Sequence, residues 1–270
     1  MSKKIAVLGC GWLGLPLAKS FVKNNYQVNG ATTSVDKILH IAQHKINPFL
    51  IAVHKHHIEG NISYFLQDVD ILFINIPPRI RRNSNANYIS KIKTLSEKIE
   101  ESNIKKVIFI SSSSVYANNN DIVDENTPPK PETESGKQIL ASEELLKSNP
   151  NFKTTVIRFS GLYGDKRHPI TTLSGKKDVS NPEAPVNLIH LEDCIGIINA
   201  IIDKDVWGIT FNASAPKHPS REEYYTSQAE KMGLEPPTFD RSKKTQGKTI
   251  TSTLINTHLS YNFTYPNLGY

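Results

Sequence analysis

The sequence predicts an α/β protein built on a parallel sheet, and three features carry that expectation. Short, almost wholly apolar runs recur along the 270 residues, as buried parallel strands require. Stretches with apolar residues at helical spacing separate them, so strand and helix alternate. A glycine-rich turn links the first apolar run to the first helix. With 38% hydrophobic and 21% charged residues, the chain has a globular composition and is long enough to bury a substantial core.

The elements follow in order. Residues 5–8 (IAVL) make a buried strand. Leu15, Leu17, Ala18, Phe21 and Val22 then share a helical face, and Asn24 and Asn25 stop that helix. Residues 26–31 are expected as the second strand and 49–53 as the third. Residues 70–76 (DILFINI) make a strong buried strand, halted by Pro77 and Pro78. An amphipathic helix is expected over 88–102, a strand over 107–111, a polar loop over 118–131 and a helix over 137–146. A strand over 155–159 and an apolar-faced helix over 194–202 complete the regular pattern, which loosens beyond 213 apart from a helix over 224–232. The expected organisation is a core of residues 1–163 and 186–213, with a small C-terminal substrate lobe of 164–185 and 214–270. No internal repeat is visible.

The formal net charge of +6 suits a polyanionic small molecule. The basic residues are dispersed and do not gather on a recognition helix, so no nucleic-acid partner is expected. Cys10 and Cys194 offer neither a disulfide framework nor metal-ligand spacing, which fits a reducing, cytoplasmic setting. No apolar run reaches the roughly 18 residues of a membrane helix, so no membrane partner is expected. Glycines at 9, 11 and 14 interrupt the N-terminal apolar run, against a secretion signal.

Gly9-Cys10-Gly11-Trp12-Leu13-Gly14 fits the pattern G-x-G-x-x-G between a buried strand and an amphipathic helix. The first glycine permits the tight turn, the second lets a pyrophosphate approach the backbone, and the third allows close helix–strand packing. Backbone at Gly9, Gly11, Trp12, Leu13 and Gly14 is therefore expected to hold the pyrophosphate of a nicotinamide dinucleotide. The fold expected is a Rossmann-type doubly wound parallel sheet. The second strand ends in Gly30-Ala31-Thr32-Thr33-Ser34, without the carboxylate that would bind the adenosine ribose hydroxyls. Nothing there repels a 2′-phosphate, and Thr33, Ser34 and Lys37 can receive it. The expectation leans to NADP over NAD. Ser34 can equally serve as the N-cap of a following helix.

Three further segments resemble the extended short-chain dehydrogenase/reductase superfamily, in its NAD-dependent epimerase/dehydratase group. Residues 108–117 (IFISSSSVYA) resemble its S-S-x-x-V-Y-G strand end, 157–167 (IRFSGLYGDKR) its R-x-x-x-I-Y-G-P-x-R segment, and 186–194 (VNLIHLEDC) its R-x-I-H-V-D-D segment. The matches run in family order over most of the chain. The missing T-G-x-x-G-x-x-G turn and the short length mark an atypical branch. The resemblance implies a Tyr-x-x-x-Lys pair, a preceding Ser that orients the substrate oxygen, and a helix-mediated homodimer. Ser112 takes the orienting place, and Thr133-Glu134-Ser135-Gly136-Lys137 matches the pair with Thr133 where the tyrosine belongs. Aligning Glu143 with the glutamate that follows in the family shifts the pair and loses Lys137. An alkyl hydroxyl is far less acidic than a phenol of pKa about 10, so Thr133 cannot relay protons in the same way. Tyr116 and Tyr163 offer phenols without a lysine partner.

Arg79, Arg81 and Arg82 follow the fourth strand at the edge where ligands sit in such sheets, and Arg79 is a candidate for an anionic substrate. The resemblance adds Arg158 and Arg167 on the substrate side. His54, His56 and His57 lie in a loop without a cysteine or carboxylate framework, and no metal is expected. Two functions follow from these residues. One is an NAD(P)-dependent oxidoreductase or sugar-nucleotide-modifying enzyme acting on a small molecule. The other is a catalytically inactive dinucleotide sensor, which loss of the tyrosine favours.

Overall fold

The computed structural model describes residues 3–78, 87–119, 121–164 and 167–269. Its centre is a seven-stranded parallel sheet flanked by helices. The strands are β1 (Lys4–Leu8), β2 (Gln27–Thr32), β3 (Asn47–Leu50), β4 (Ile71–Ile74), β5 (Lys106–Ser112), β6 (Lys153–Phe159) and β7 (Thr210–Ala213). They lie in the order β3-β2-β1-β4-β5-β6-β7. The chain thus moves outward from β1 to one edge, returns to β4 and builds toward the other. That reversal leaves a crevice at the carboxyl ends of β1 and β4. Ile5, Ala6, Val7 and Leu8 of β1 are buried, with Ile5 registered between Val28 and Ile71.

The helices are α1 (Gly14–Lys23), α2 (Ile38–Ala42), α3 (Ile62–Leu66), α4 (Tyr88–Glu100), α5 (Glu134–Lys147), α6 (Leu191–Asp203), α7 (Arg221–Lys231) and α8 (Thr253–Leu259), beside shorter turns. Asn24 closes α1, and Asn25 takes the left-handed conformation that releases the chain into β2. Asn87 starts α4 by accepting the Ser90 amide at 2.9 Å, and the buried Tyr88 donates its hydroxyl to Ile76 O at 2.9 Å.

Several elements depart from the sequence reading. The third strand ends at Leu50, and the chain continues as a hairpin of Ala52–Val53 against Ile58–Glu59. Helix α5 begins at Glu134, ahead of residue 137, because Thr133 caps it. The expected loop contains Ile122–Val123, which pairs with Thr249–Ile250. The loose C-terminal stretch contains α8 and is tied down by Asp193, whose carboxylate receives the Tyr261 hydroxyl at 3.0 Å and the amides of Thr264 and Tyr265 at 2.7 and 3.0 Å.

The chain divides into two compact units. The first holds Met1–Val115, Pro131–Ile157 and Asp205–Thr210; the second holds Tyr116–Lys130, Arg158–Lys204 and Phe211–Tyr270. Residues 116–130, 158–163, 186–204 and 211–213, expected in the core, cluster here with the C-terminal residues, as the pairing of Ile122–Val123 with Thr249–Ile250 and the bonds of Asp193 illustrate. The second unit has its own apolar cluster around Tyr163, Ile170, Val186, Leu188 and Tyr224.

Candidate functional site

The glycine turn has the three spatial demands its pattern implies. Gly9 has φ +110°, and a β-carbon there would lie 2.6 Å from Asn75 O. A β-carbon at Gly14 would lie 2.0 Å from Gly9 O, so the start of α1 rests directly on the turn. At Gly11 it would meet nothing within 4 Å. Open space therefore lies where a pyrophosphate has to approach. Leu13 occupies the N-cap of α1 and makes no side-chain cap bond to the amide end of this helix.

Asn75 holds the turn from the neighbouring strand. Its amide donates to Leu8 O at 2.9 Å and its Nδ2 to Gly9 O at 3.1 Å. On the other side, Cys10 N donates to Ala31 O at 2.8 Å. Burial pushes the Cys10 thiol up to about 12, outweighing the opposing Ala31 hydrogen bond and Lys37 charge. It is a packed, neutral group, not a nucleophile. A β-carbon at Gly30 would lie 2.8 Å from its sulfur, which explains the glycine in the middle of β2.

Beside the turn is a cleft of about 380 Å³. Gly9 and Gly11 form its floor, Thr33 and Lys37 extend from the end of β2, and Ile51 and Val53 supply an apolar wall. Lys91 and His54 also reach it. Among the described residues, no carboxylate lines it. An open backbone floor, an apolar wall and nearby ammonium groups together fit an adenine dinucleotide. Of the expected cofactor residues, Gly9, Gly11, Thr33 and Lys37 line this cleft. Trp12, Leu13 and Gly14 form the turn and helix start behind it, with Leu13 and Gly14 buried. Ser34 precedes a short turn of 3-10 helix without a side-chain cap bond, and its amide donates to Thr32 Oγ1 at 3.2 Å. The sequence reading missed Asn75, Lys91 and the hairpin wall. A polar residue inside DILFINI was the one available signal.

Ser112 ends β5, and its Oγ accepts the Ser114 amide at 3.1 Å. Thr133 Oγ1 accepts the Gly136 amide at 3.1 Å, the N-cap bond of α5. Thr133, the residue aligned with the family's tyrosine in the sequence, therefore has a structural task of its own. Gly136 is buried, and a β-carbon there would lie 2.5 Å from Ser114 O. The first turn of α5 is thereby laid against the turn that follows β5, bringing the Thr133 and Ser112 segments together. Lys137 is exposed in that first turn. Farther along α5, the buried Glu143 accepts a short hydrogen bond from Ser111 and fixes the helix on the strand.

The arginines divide differently. Arg79, with Arg81 and Arg82, lies outside the described residues. Arg158, expected on the substrate side, is buried, its guanidinium donating to Tyr116 Oη at 2.7 Å and lying over the Tyr116 ring. A charge so enclosed holds its own scaffold together. Arg167 is exposed and joined to Gly164 by two backbone hydrogen bonds of 2.8 Å. The histidine segment is also corrected: the hairpin supplies a carboxylate, Glu59, beside His54 and His57.

The second unit has a polar cavity of about 300 Å³, with Asn118, Asn181, Asn187, Arg221, Gln246 and Lys248 in its wall. Asn187 is fixed by donating to Lys248 O at 2.7 Å and accepting the Ile250 amide at 2.8 Å. Lys248 Nζ donates to Tyr116 O at 2.6 Å. Such amides and cations recognise hydroxyl groups and anions.

Comparison with known proteins places this geometry. Residues 78–177 match the model of the NAD dependent epimerase/dehydratase family. The chain is also 34% identical over 267 residues to Protein YeeZ of Escherichia coli K12, covering 98% of this chain and 97% of that protein. The chain belongs to the NAD-dependent epimerase/dehydratase family. Solved structures share the family fold. A functionally unknown conserved protein from Silicibacter pomeroyi superposes with a TM-score of 0.81 at 22% identity, over 98% of this chain and 95% of the other. UDP-glucuronic acid 4-epimerase from Bacillus cereus, solved in complex with NAD, gives a TM-score of 0.81 at 20% identity over 97% and 92%. Among the described residues of this family member, no helix is long and apolar enough to cross a membrane.

Proposed function

We propose that this family member binds a nicotinamide dinucleotide, with NADP preferred to NAD, and modifies a sugar nucleotide or a similar hydroxyl-rich anion. The observation that carries the proposal is the cleft beside Gly11, which presents Lys37, Lys91 and Thr33 and, among the described residues, no carboxylate. A carboxylate at the end of β2 would repel a 2′-phosphate; ammonium and hydroxyl groups attract it. In the second unit, the amide-rich wall with Arg221 and Lys248 supports a polar, anionic substrate.

The bound nicotinamide supplies hydride transfer. The chain supplies orientation. Ser112 and Thr133 each accept a backbone amide, which leaves their hydroxyl hydrogens to donate to a substrate oxygen. Both act as hydrogen-bond donors that polarise that oxygen without surrendering a proton. Lys137 binds the nicotinamide ribose.

A second reading, a dinucleotide sensor without catalysis, is favoured by the placement of the phenols. Tyr116 and Tyr163 are both buried, and desolvation raises the Tyr163 pKa above its ordinary value. Fluorescence titration with NADPH and NADH, followed by a screen of UDP-sugars, tests the proposal. The expected result is tighter binding of NADPH and turnover of at least one sugar nucleotide. No affinity for either dinucleotide overturns the proposal. Binding without turnover, unrestored by Thr133→Tyr, establishes the sensor.

A further inference from the structure

We infer that His54, His57 and Glu59 form a site for a divalent transition-metal ion of the zinc class, on the hairpin that walls the nucleotide cleft. The hairpin fixes the spacing of the three residues. Ala52 registers with Glu59 and Val53 with Ile58, while His54 N donates to His57 O at 2.9 Å across the turn. Beyond it, Gly60 has φ +89° and packs so tightly that a β-carbon would lie 2.0 Å from Leu50 O. The backbone beneath the three side chains is therefore held at both ends.

The donor atoms already converge. One ligand atom from each residue lies within 4.8 Å of the others. His54 Nε2 is 3.2 Å and His57 Nε2 3.6 Å from the same Glu59 oxygen. Tetrahedral zinc with bonds of about 2.05 Å needs donors about 3.3 Å apart, a spacing between those two values. His54 Nε2 is shielded from solvent yet makes no hydrogen bond, although a Glu59 oxygen lies 3.2 Å away. Two imidazoles and a carboxylate are a donor set that zinc accepts, leaving a fourth position for water or an anion.

One rearrangement is required. The two rings stack with centroids 4.6 Å apart and planes 8° apart, whereas a shared ion must lie in the plane of both. His57 is 62% exposed in its side chain and can turn without disturbing the core. Because His54 also lines the nucleotide cleft, the ion would sit at the rim of that cleft.

The test uses the full chain without added nucleotide, titrated with Co²⁺ and then with Zn²⁺ against a chromophoric chelator. One equivalent of Co²⁺ should give the intense visible absorption of a near-tetrahedral site, and Zn²⁺ should displace it. His54→Gln, His57→Gln and Glu59→Gln should each weaken Zn²⁺ binding at least about tenfold, about 1.4 kcal/mol. His56→Gln should leave it unchanged, as should His40→Gln, which disrupts the separate His40–His44 contact. Circular dichroism checks that each variant is folded. Absence of Co²⁺ or Zn²⁺ binding overturns the inference, as does binding that survives both His57→Gln and Glu59→Gln. Because no dinucleotide is present, the outcome is independent of the proposed cofactor and substrate.

Discussion

Gly14 stands against Gly9 so closely that a single added carbon at 14 would lie 2.0 Å from the Gly9 carbonyl oxygen. Gly11, between them, has no atom within 4 Å of the same position. Changing these residues should therefore produce different failures. Gly14→Ala is expected to destabilise the fold by about 1–3 kcal/mol through overpacking, read as a lower thermal midpoint. Gly11→Ala should leave the midpoint close to wild type and weaken NADPH binding at least about tenfold, because the methyl group occupies the pyrophosphate's approach.

Lys37 offers a test of cofactor choice. Lys37→Ala should weaken NADPH binding about tenfold and NADH binding less than about twofold in parallel fluorescence titrations at low salt. Equal losses for both nucleotides would show that Lys37 does not discriminate at the 2′ position.

Thr133 tests the cap directly. Thr133→Ala removes the acceptor of the Gly136 amide and should cost about 1 kcal/mol, whereas Thr133→Ser should retain most of that stability. In thermal melts the alanine variant should fall by about 2–4 °C. A midpoint unchanged in the alanine variant would rule out a stabilising cap.

Lys137 should reveal the ribose contact. Lys137→Ala is expected to weaken dinucleotide binding clearly more than Lys147→Ala at the other end of the same helix. Equal affinities would remove Lys137 from the cofactor site.

His168 gives a pH signature. Its Nδ1 accepts the Ile170 amide at 3.1 Å, so in the neutral ring the hydrogen lies on Nε2, 3.0 Å from the Tyr224 hydroxyl. Burial lowers its pKa from 6.5, so the folded state favours the neutral ring. As pH falls below about 6.5 the unfolded chain takes up the proton first, and stability declines until pH passes the lower folded value. Thermal midpoints measured downward from neutrality should therefore fall, and His168→Gln should flatten part of that decline. His218, also lowered by burial, should contribute in the same sense. A wild-type midpoint that rises on acidification through this range would contradict the sign.

The parts legible in the sequence were those with local causes. β1, the glycine turn and α1 announce themselves because an apolar run, a fixed glycine spacing and a helical stripe lie within twenty residues. The hairpin of Ala52–Val53 and Ile58–Glu59 carries no such signal, since two-residue strands have no periodicity to read. The cap on α5 was readable from Thr133 followed by Glu134, but the family pattern drew those residues into a catalytic comparison. Arg158 shows the opposite difficulty: a motif supplied its place, while only packing showed its charge enclosed against Tyr116. Lys91 and His54 reach the cleft from distant segments, so adjacency in sequence could not reveal them.

Asp193 has a practical consequence for anyone trimming or fusing the C-terminus. Its fully buried carboxylate is satisfied by hydrogen bonds from residues 261, 264 and 265, so a deletion that begins before Tyr261 strands an unsatisfied carboxylate in the interior. Such a shortened protein should express as aggregate, and pairing the deletion with Asp193→Asn should recover part of the soluble yield.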